Sequence, residues 1–195
     1  MSFGSGLPFG RTLVRAIAGA SVGVAAWTLT EYATHRWVLH GPFGQGRLSR
    51  IPVGNIHRNH HRDPEHTVAW ARAGANLAMA GVGAGAARAL TAAIPALPAA
   101  AATTAGMAWS AGYTVYDIAH HRMHHRAPTT ERGVRLRQRH FRHHFGAPRG
   151  NLGVTNGIWD RVLGTEVLAA PVRIPAKFAP EWLDDLGPDF TAAHG

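Results

Sequence analysis

Polar and apolar residues are distributed very unevenly along this chain. From Ala16 to Thr30 the run AIAGASVGVAAWTLT carries no charge, and from Ala73 to Val115 the sole charged residue is Arg88. The second stretch is about twice the 20 residues that a helix needs to cross a bilayer. The pattern therefore predicts one membrane-embedded helix over 16–34 and an embedded helical hairpin over 68–119, turning between Arg88 and Pro98. Alanine and glycine dominate the hairpin, which suits close helix packing in lipid. The chain's mean hydropathy of -0.10 keeps a soluble, alanine-rich helical pair as the alternative. After Thr165 come Pro171, Pro175, Pro180 and Pro188 among mixed charges, which reads as a surface tail over 166–195. With no Ser-rich or Pro-rich linker, the expectation is a single all-α domain over 1–195.

Charge sharpens the topology. Nineteen arginines and one lysine stand against eleven acids, a formal charge of +9. If the first span ends near Thr34 and the hairpin leaves and re-enters on one side, seventeen of the twenty basic residues share that side; only Arg11, Arg15 and Arg88 do not. This is the asymmetry expected for a cytoplasmic face. Arg11 and Arg15 ahead of the first span run against it, so a re-entrant first segment is the alternative. The apolar N-terminal run leads directly into histidine-rich sequence, which argues against a cleaved signal peptide. A basic chain also invites nucleic acid, but no RNA-binding aromatic signature or Cys-containing finger is present, so no nucleic-acid partner is expected. The chain has no cysteine, which excludes disulfides, thiolate-ligated haem and cysteine-held clusters.

The chemistry is in the histidines. Thirteen of fourteen fall between His35 and His144, twelve of them in four clusters: HRWVLH (His35, His40), HRNHH (His57, His60, His61), HHRMHH (His120, His121, His124, His125) and HFRHH (His140, His143, His144). Neutral imidazoles at this density are metal ligands, and twelve exceed what one ion takes. Two ions sharing a cage fit the count, with the element left open among iron, zinc, copper and nickel. His57, His60 and His61 stand at i, i+3 and i+4, as do His140, His143 and His144, so each triplet can feed one metal from one helix face. In the third cluster His121, His124 and His125 repeat that spacing, whereas His120, His124 and His125 need local distortion. His35 and His40 are five apart and converge only if the helix ends or bulges, and Gly41-Pro42 supplies an end. Glu31 lies four before His35, and Asp117 three and four before His120 and His121; both are placed to orient ligand imidazoles, or simply to form helix ion pairs. The last cluster, with four arginines in RLRQRHFRHHF, has a solvated or lipid-headgroup face as its alternative. His66 and His194 lie outside the spacings and are expected at the surface.

At these residues the chain resembles the membrane-bound fatty acid hydroxylase and sterol desaturase superfamily, most closely its fatty acid 2-hydroxylase branch. The resemblance runs through EYATHRWVLH, HRNHHRDP, YDIAHHRMHH and RHFRHHF to the trailing LGVTNGIWDRVLGT (Leu152 to Thr165), about two thirds of the chain. It implies an integral membrane helical bundle with a histidine-rich dimetal cap in the cytoplasm. Carried over by position, the ligands are His35, His40, His57, His60, His61, His120, His124, His125, His140, His143 and His144. The family pattern favours His120 over His121, against the same-face reading, leaving His121 beside the ligands; relatives can carry another residue at His125. Tyr116, Trp159 and Asp160 border the boxes and are candidates for the substrate access route.

The resemblance further implies two iron ions, with zinc able to replace them during overexpression, O2 as co-substrate, and hydroxylation of a lipid acyl chain. The family's larger members have more spans or a fused haem domain; here the electrons are expected from a separate electron-transfer protein. Alternatives are a carotenoid hydroxylase, a sterol-type desaturase or methyl oxidase and, from another class, a metal-binding or metal-transport membrane protein without redox chemistry. Transporters usually hold their ligands within spans near the midplane, whereas these boxes fall at span ends and beyond.

Overall fold

A computed structural model of the chain describes residues 7–41, 52–65 and 69–193. The elements are α1 (Leu7–Ala33), a π-helical segment (Thr34–Leu39), α2 (Pro52–Arg62), α3 (Ala69–Ala93), α4 (Ala99–His125), α5 (Glu131–Phe145), α6 (Ile158–Val162), β1 (Val172–Pro175) and β2 (Phe190–Ala193), with short 3-10 turns at Ala176–Phe178 and Leu183–Leu186. The architecture is mostly helical, with β1 and β2 paired in parallel, Val172 against Phe190. His66 and His194 lie outside the described residues. The chain forms two compact units, one of residues 1–28 and 69–115, the other of 29–68 and 116–195.

The first unit is the charge-poor part of the sequence folded into helices. α3 and α4 form the expected hairpin: α3 stops at Ala93, before Pro95, and α4 begins just after Pro98, because proline restricts the residue before it and cannot continue a helix. Small residues set the packing. Gly83 and Gly106 meet backbone to backbone, and Gly23 lies against Ala105, so a Cβ at either glycine would collide with main chain. At this range hydroxyls reach across: Thr104 donates to the Ala16 carbonyl at 2.9 Å and Ser110 to that of Met79 at 3.0 Å. Trp27 packs edge-on to Trp109 and Tyr113. The large side chains point outward: Val14, Ile17, Val22 and Val24 on α1, Leu77 and Val82 on α3, and Met107 and Val115 on α4 are all exposed. Among the described residues one helical stretch, Phe9–Leu39, is long and apolar enough to cross a membrane. α3 and α4 have comparable length, but alanine and glycine keep them less apolar.

The second unit is built the opposite way, around buried polar groups. Glu31, His35, His57, Arg137, Arg139, His140, Arg142, His143, Asn151 and Asp160 are all buried. α5 is its axis. Thr130 caps it by accepting from the Gly133 amide at 3.0 Å, an arrangement typical of a helix start. The segment after Thr165 is not a surface tail. Val172, Ile174, Leu183, Leu186 and Phe190 form a buried cluster with Phe141 of α5. The prolines and charges of that segment conceal a period-two alternation in β1, Val172 and Ile174 inward with Arg173 and Pro175 outward, which is what buries one face of a strand. The arginines of α5 are likewise not a solvated stripe. Arg137 donates to the Arg122, Arg126 and Gly133 carbonyls, which ties off the C-terminal end of α4. Arg142 bonds Asp189 at 3.1 Å and covers the Phe190 ring; of the four, Arg135 is the exposed one.

A candidate dimetal centre

Ten histidines of the second unit converge into two groups of five. His35, His40, His57, His61 and His143 form the first; His60, His120, His124, His140 and His144 form the second, and within each group one nitrogen per ring lies within 4.8 Å of all the others. In the first group the Nε2 atom of His57 stands 2.8 Å from that of His40, 3.1 Å from that of His61 and 3.2 Å from that of His35. The His61 and His143 Nε2 atoms are also 3.2 Å apart. In the second group the separations are 2.9 Å for His60 to His120 and 2.8 Å for His124 to His140. The groups adjoin, with the His61 and His144 rings stacked at 4.1 Å.

Helical geometry explains the division. At 3.6 residues per turn, i and i+4 diverge by about 40°, whereas i+3 and i+4 diverge by about 100°. Each histidine triplet therefore splits rather than serving one ion: on α2, His57 and His61 face the first group and His60 the second. On α5, His140 and His144 face the second group and His143 the first. On α4 the same rule gives two candidate pairs, and packing brings one of them to the second group. His120 and His124 are an undistorted i, i+4 pair, while His121 and His125 form a second pair rotated away, their rings 4.4 Å apart and outside both groups. His35 and His40 converge because α1 turns into a π-helix. The His40 amide donates to the His35 carbonyl at 3.0 Å, and an i→i+5 bond brings residues five apart nearly onto one face. Such π-bulges are frequent at functional sites.

The electrostatics suit cation binding. Nδ1 of His35 lies 2.6 Å from the Leu152 carbonyl and Nδ1 of His143 lies 2.9 Å from the Gly150 carbonyl. A carbonyl only accepts, so both Nδ1 atoms carry the proton and both Nε2 atoms present lone pairs to the group centre. In the second group Nδ1 of His140 and both nitrogens of His144 are buried without a protein hydrogen-bond partner. Burial first, and neighbouring histidines second, hold His57, His140, His143 and His144 well below the ordinary imidazole range and bring His60 to about 4 and His61 to about 2. A neutral ring carries one N–H, which can bridge one such contact; the His57 Nε2 has three within 3.2 Å, and the lone pairs left facing one another repel unless a cation lies between them. Adjacent nitrogens in a shell about 2.0–2.1 Å from one ion would stand about 3 Å apart. The donor sets thus fit two transition-metal ions.

The remaining sequence candidates have other surroundings. Glu31 does not meet His35 through that ring's Nδ1, which the Leu152 carbonyl takes. Its Oε1 accepts the Val154 and Thr155 amides at 2.6 and 2.8 Å and its Oε2 the Thr155 hydroxyl at 2.5 Å. Asp117 is half-buried on α4. Tyr116 stacks on the His120 ring at 5.5 Å, and Trp159 is half-buried. Asp160, expected along an access route, is fully buried and ion-paired to Arg139 at 2.8 Å, which also pairs with Glu166.

Spacing rules did not single out Asn151, Thr165 or Glu166. Asn151 holds a left-handed φ of 52°, exchanges hydrogen bonds with the Val167 main chain at 2.8 and 2.9 Å, and so fixes the start of the loop that carries the Leu152 carbonyl. The signal was the asparagine, a residue tolerant of that region, just ahead of the glycine-bearing trailer.

Known proteins resemble the chain in sequence and in fold. A family model described as fatty acid hydroxylase matches residues 20–165. The dihydroceramide fatty acyl 2-hydroxylases FAH1 and FAH2 of Arabidopsis thaliana are 30% and 31% identical to the chain over 146 and 143 residues, covering 74% and 73% of it. The matched region is 58% of each of those proteins, so the chain spans a little over half of their length. Among solved structures, full-length scs7p, in which only the hydroxylase domain is visible, superposes with a TM-score of 0.62 at 24% identity, covering 82% of this chain and 59% of that one. That likeness is one of fold.

Proposed function

The chain belongs to the fatty acid hydroxylase family, and on that footing we propose that it hydroxylates an acyl chain of a membrane lipid, using two metal ions held by the ten converging histidines. The observation that carries the reading is the pairing of two five-imidazole groups on shared helices, α2 and α5. Iron in both positions, given two electrons by a separate donor protein, would supply reductive O2 activation able to convert an unactivated C–H bond to C–OH. The Arabidopsis relatives are named for 2-hydroxylation of the fatty acyl chain of dihydroceramide, and an N-acylated or esterified lipid of that kind is the substrate class proposed here.

The protein's own contribution is positional. His35 and His143 present fixed tautomers, and His120 and His124 share one helix face. Burial keeps the rings neutral and therefore able to ligate. Arg62 and Arg122 on the ligand helices α2 and α4, and Arg126 just past the end of α4, are exposed and give the site a positive border suited to a polar headgroup. The outward-facing valines, isoleucines and leucines of the first unit favour an integral membrane protein, and the seventeen-to-three division of basic residues favours a cytoplasmic site.

Lipid profiling of cells with and without the protein tests the activity. The expected result is a 2-hydroxyacyl lipid present with the wild type and absent with a His57→Ala variant; identical profiles would sink the reading. Topology is tested with cysteines at Gly133 and Arg149. Both should resist an impermeant thiol reagent in intact cells, and labelling of either from outside would reverse the orientation.

A further inference from the structure

Four donors converge on the Asp160 carboxylate. Oδ1 accepts the Leu152 amide at 2.8 Å and the Thr165 hydroxyl at 2.7 Å. Oδ2 accepts the Gly153 amide at 2.9 Å and the Arg139 guanidinium at 2.8 Å. The side chain is fully buried, and a charged acceptor so enclosed is held by, and holds, every one of its donors. Two of them are consecutive amides of the loop whose carbonyls at Gly150 and Leu152 receive the Nδ1 protons of His143 and His35. Glu31 grips the next two amides, Val154 and Thr155. Gly153 has no room for a side chain against the Asn156 carbonyl and the Asp160 carboxylate, so the loop approaches the carboxylate as bare backbone.

We infer that Asp160 is a positioning residue for the first metal group alone: it fixes the 150–155 loop, and through the Leu152 and Gly150 carbonyls it sets the tautomer and aim of His35 and His143. The second group has no ligand bonded to this loop, so the effect is selective. Loss of a hydrogen bond behind a ligand weakens metal affinity by about 10–100-fold, and Asp160 acts one bond further out on two ligands at once. Asparagine is the informative replacement. Its shape matches, but an NH2 in place of either oxygen opposes donors and breaks at least one of the amide contacts.

The inference rests on the two-ion reading, and one experiment separates them. The full-length wild type is titrated with Co2+, with absorption in the visible d–d region as the readout, and His57→Ala and His124→Ala mark which bands belong to which group. Absence of bands from both groups in the wild type defeats the two-ion reading itself. Given two sets of bands, Asp160→Asn should shift those of the first group and lower its Co2+ affinity at least about tenfold, while the second group keeps wild-type bands and affinity. Unchanged affinity at both groups, or equal weakening of both, overturns the proposal. Thr165→Val removes one donor and leaves the carboxylate, and should reproduce the selective loss in smaller size. If Asp160→Asn does not fold, Thr165→Val decides alone, and wild-type affinity at the first group then overturns the inference.

Discussion

The two histidine groups share α2 and α5 and have the same number of rings, yet they are supported differently. The first is backed by main chain: the Leu152 and Gly150 carbonyls hold His35 and His143, and their loop is itself gripped by two buried carboxylates, Glu31 and Asp160. In the second, Nδ1 of His140 and both nitrogens of His144 lack a protein partner, and support comes from ring packing, including Tyr116 on His120 and Phe141 beside His124. Imidazoles anchored from behind are pre-aimed, whereas packed ones retain rotational freedom. The first group thus has two rings aimed from behind by main chain, a support that the second lacks among the described residues.

The largest effect should come from emptying either half. His57→Ala and His124→Ala should each lower bound metal from two ions to one and reduce turnover by more than the about 10–100-fold typical of outer-sphere losses, read by metal analysis and by hydroxylated lipid. Retention of both ions in either variant would dissolve the division into groups. Next in size is a contrast between neighbours on α4. His120→Ala should lose the second ion and activity, while His121→Ala and His125→Ala should keep both ions and most activity. If His121→Ala matched His120→Ala, the rotated pair would have to be bringing a ligand into place. The smallest effect concerns lability. Under a chelator the second group should release its ion about tenfold faster than the first, with His57→Ala and His124→Ala assigning the phases; release in the opposite order would remove the distinction between anchored and packed ligands.

Some of this was legible without coordinates because it depends on local periodicity. The i, i+4 spacing of His57 with His61, His120 with His124 and His140 with His144 is in the sequence, as are the hairpin break before Pro98 and the need for the helix to end or bulge between His35 and His40; that it bulges, rather than ending at Gly41-Pro42, is seen only in the fold. Other features were misjudged for an equally physical reason. The spacing of each triplet allows one ion to take all three rings, yet one member joins the other group, because 60° from i looks close until it is set against 100° from i+4. The proline-rich end masked a strand pair, since short strands gain stability only from what they pack against.

The chain by itself determined which residues are histidines, which helix face each occupies and where helices must stop, since these follow from rotation per residue and from backbone restrictions. Tertiary structure alone decided which faces meet, and hence that His143 joins His35 and His57 while His140 and His144 join His120. It also decided that the Leu152 and Gly150 carbonyls aim two of the rings. A carbonyl is identical at every position in a sequence, and only folding gives one of them a particular partner.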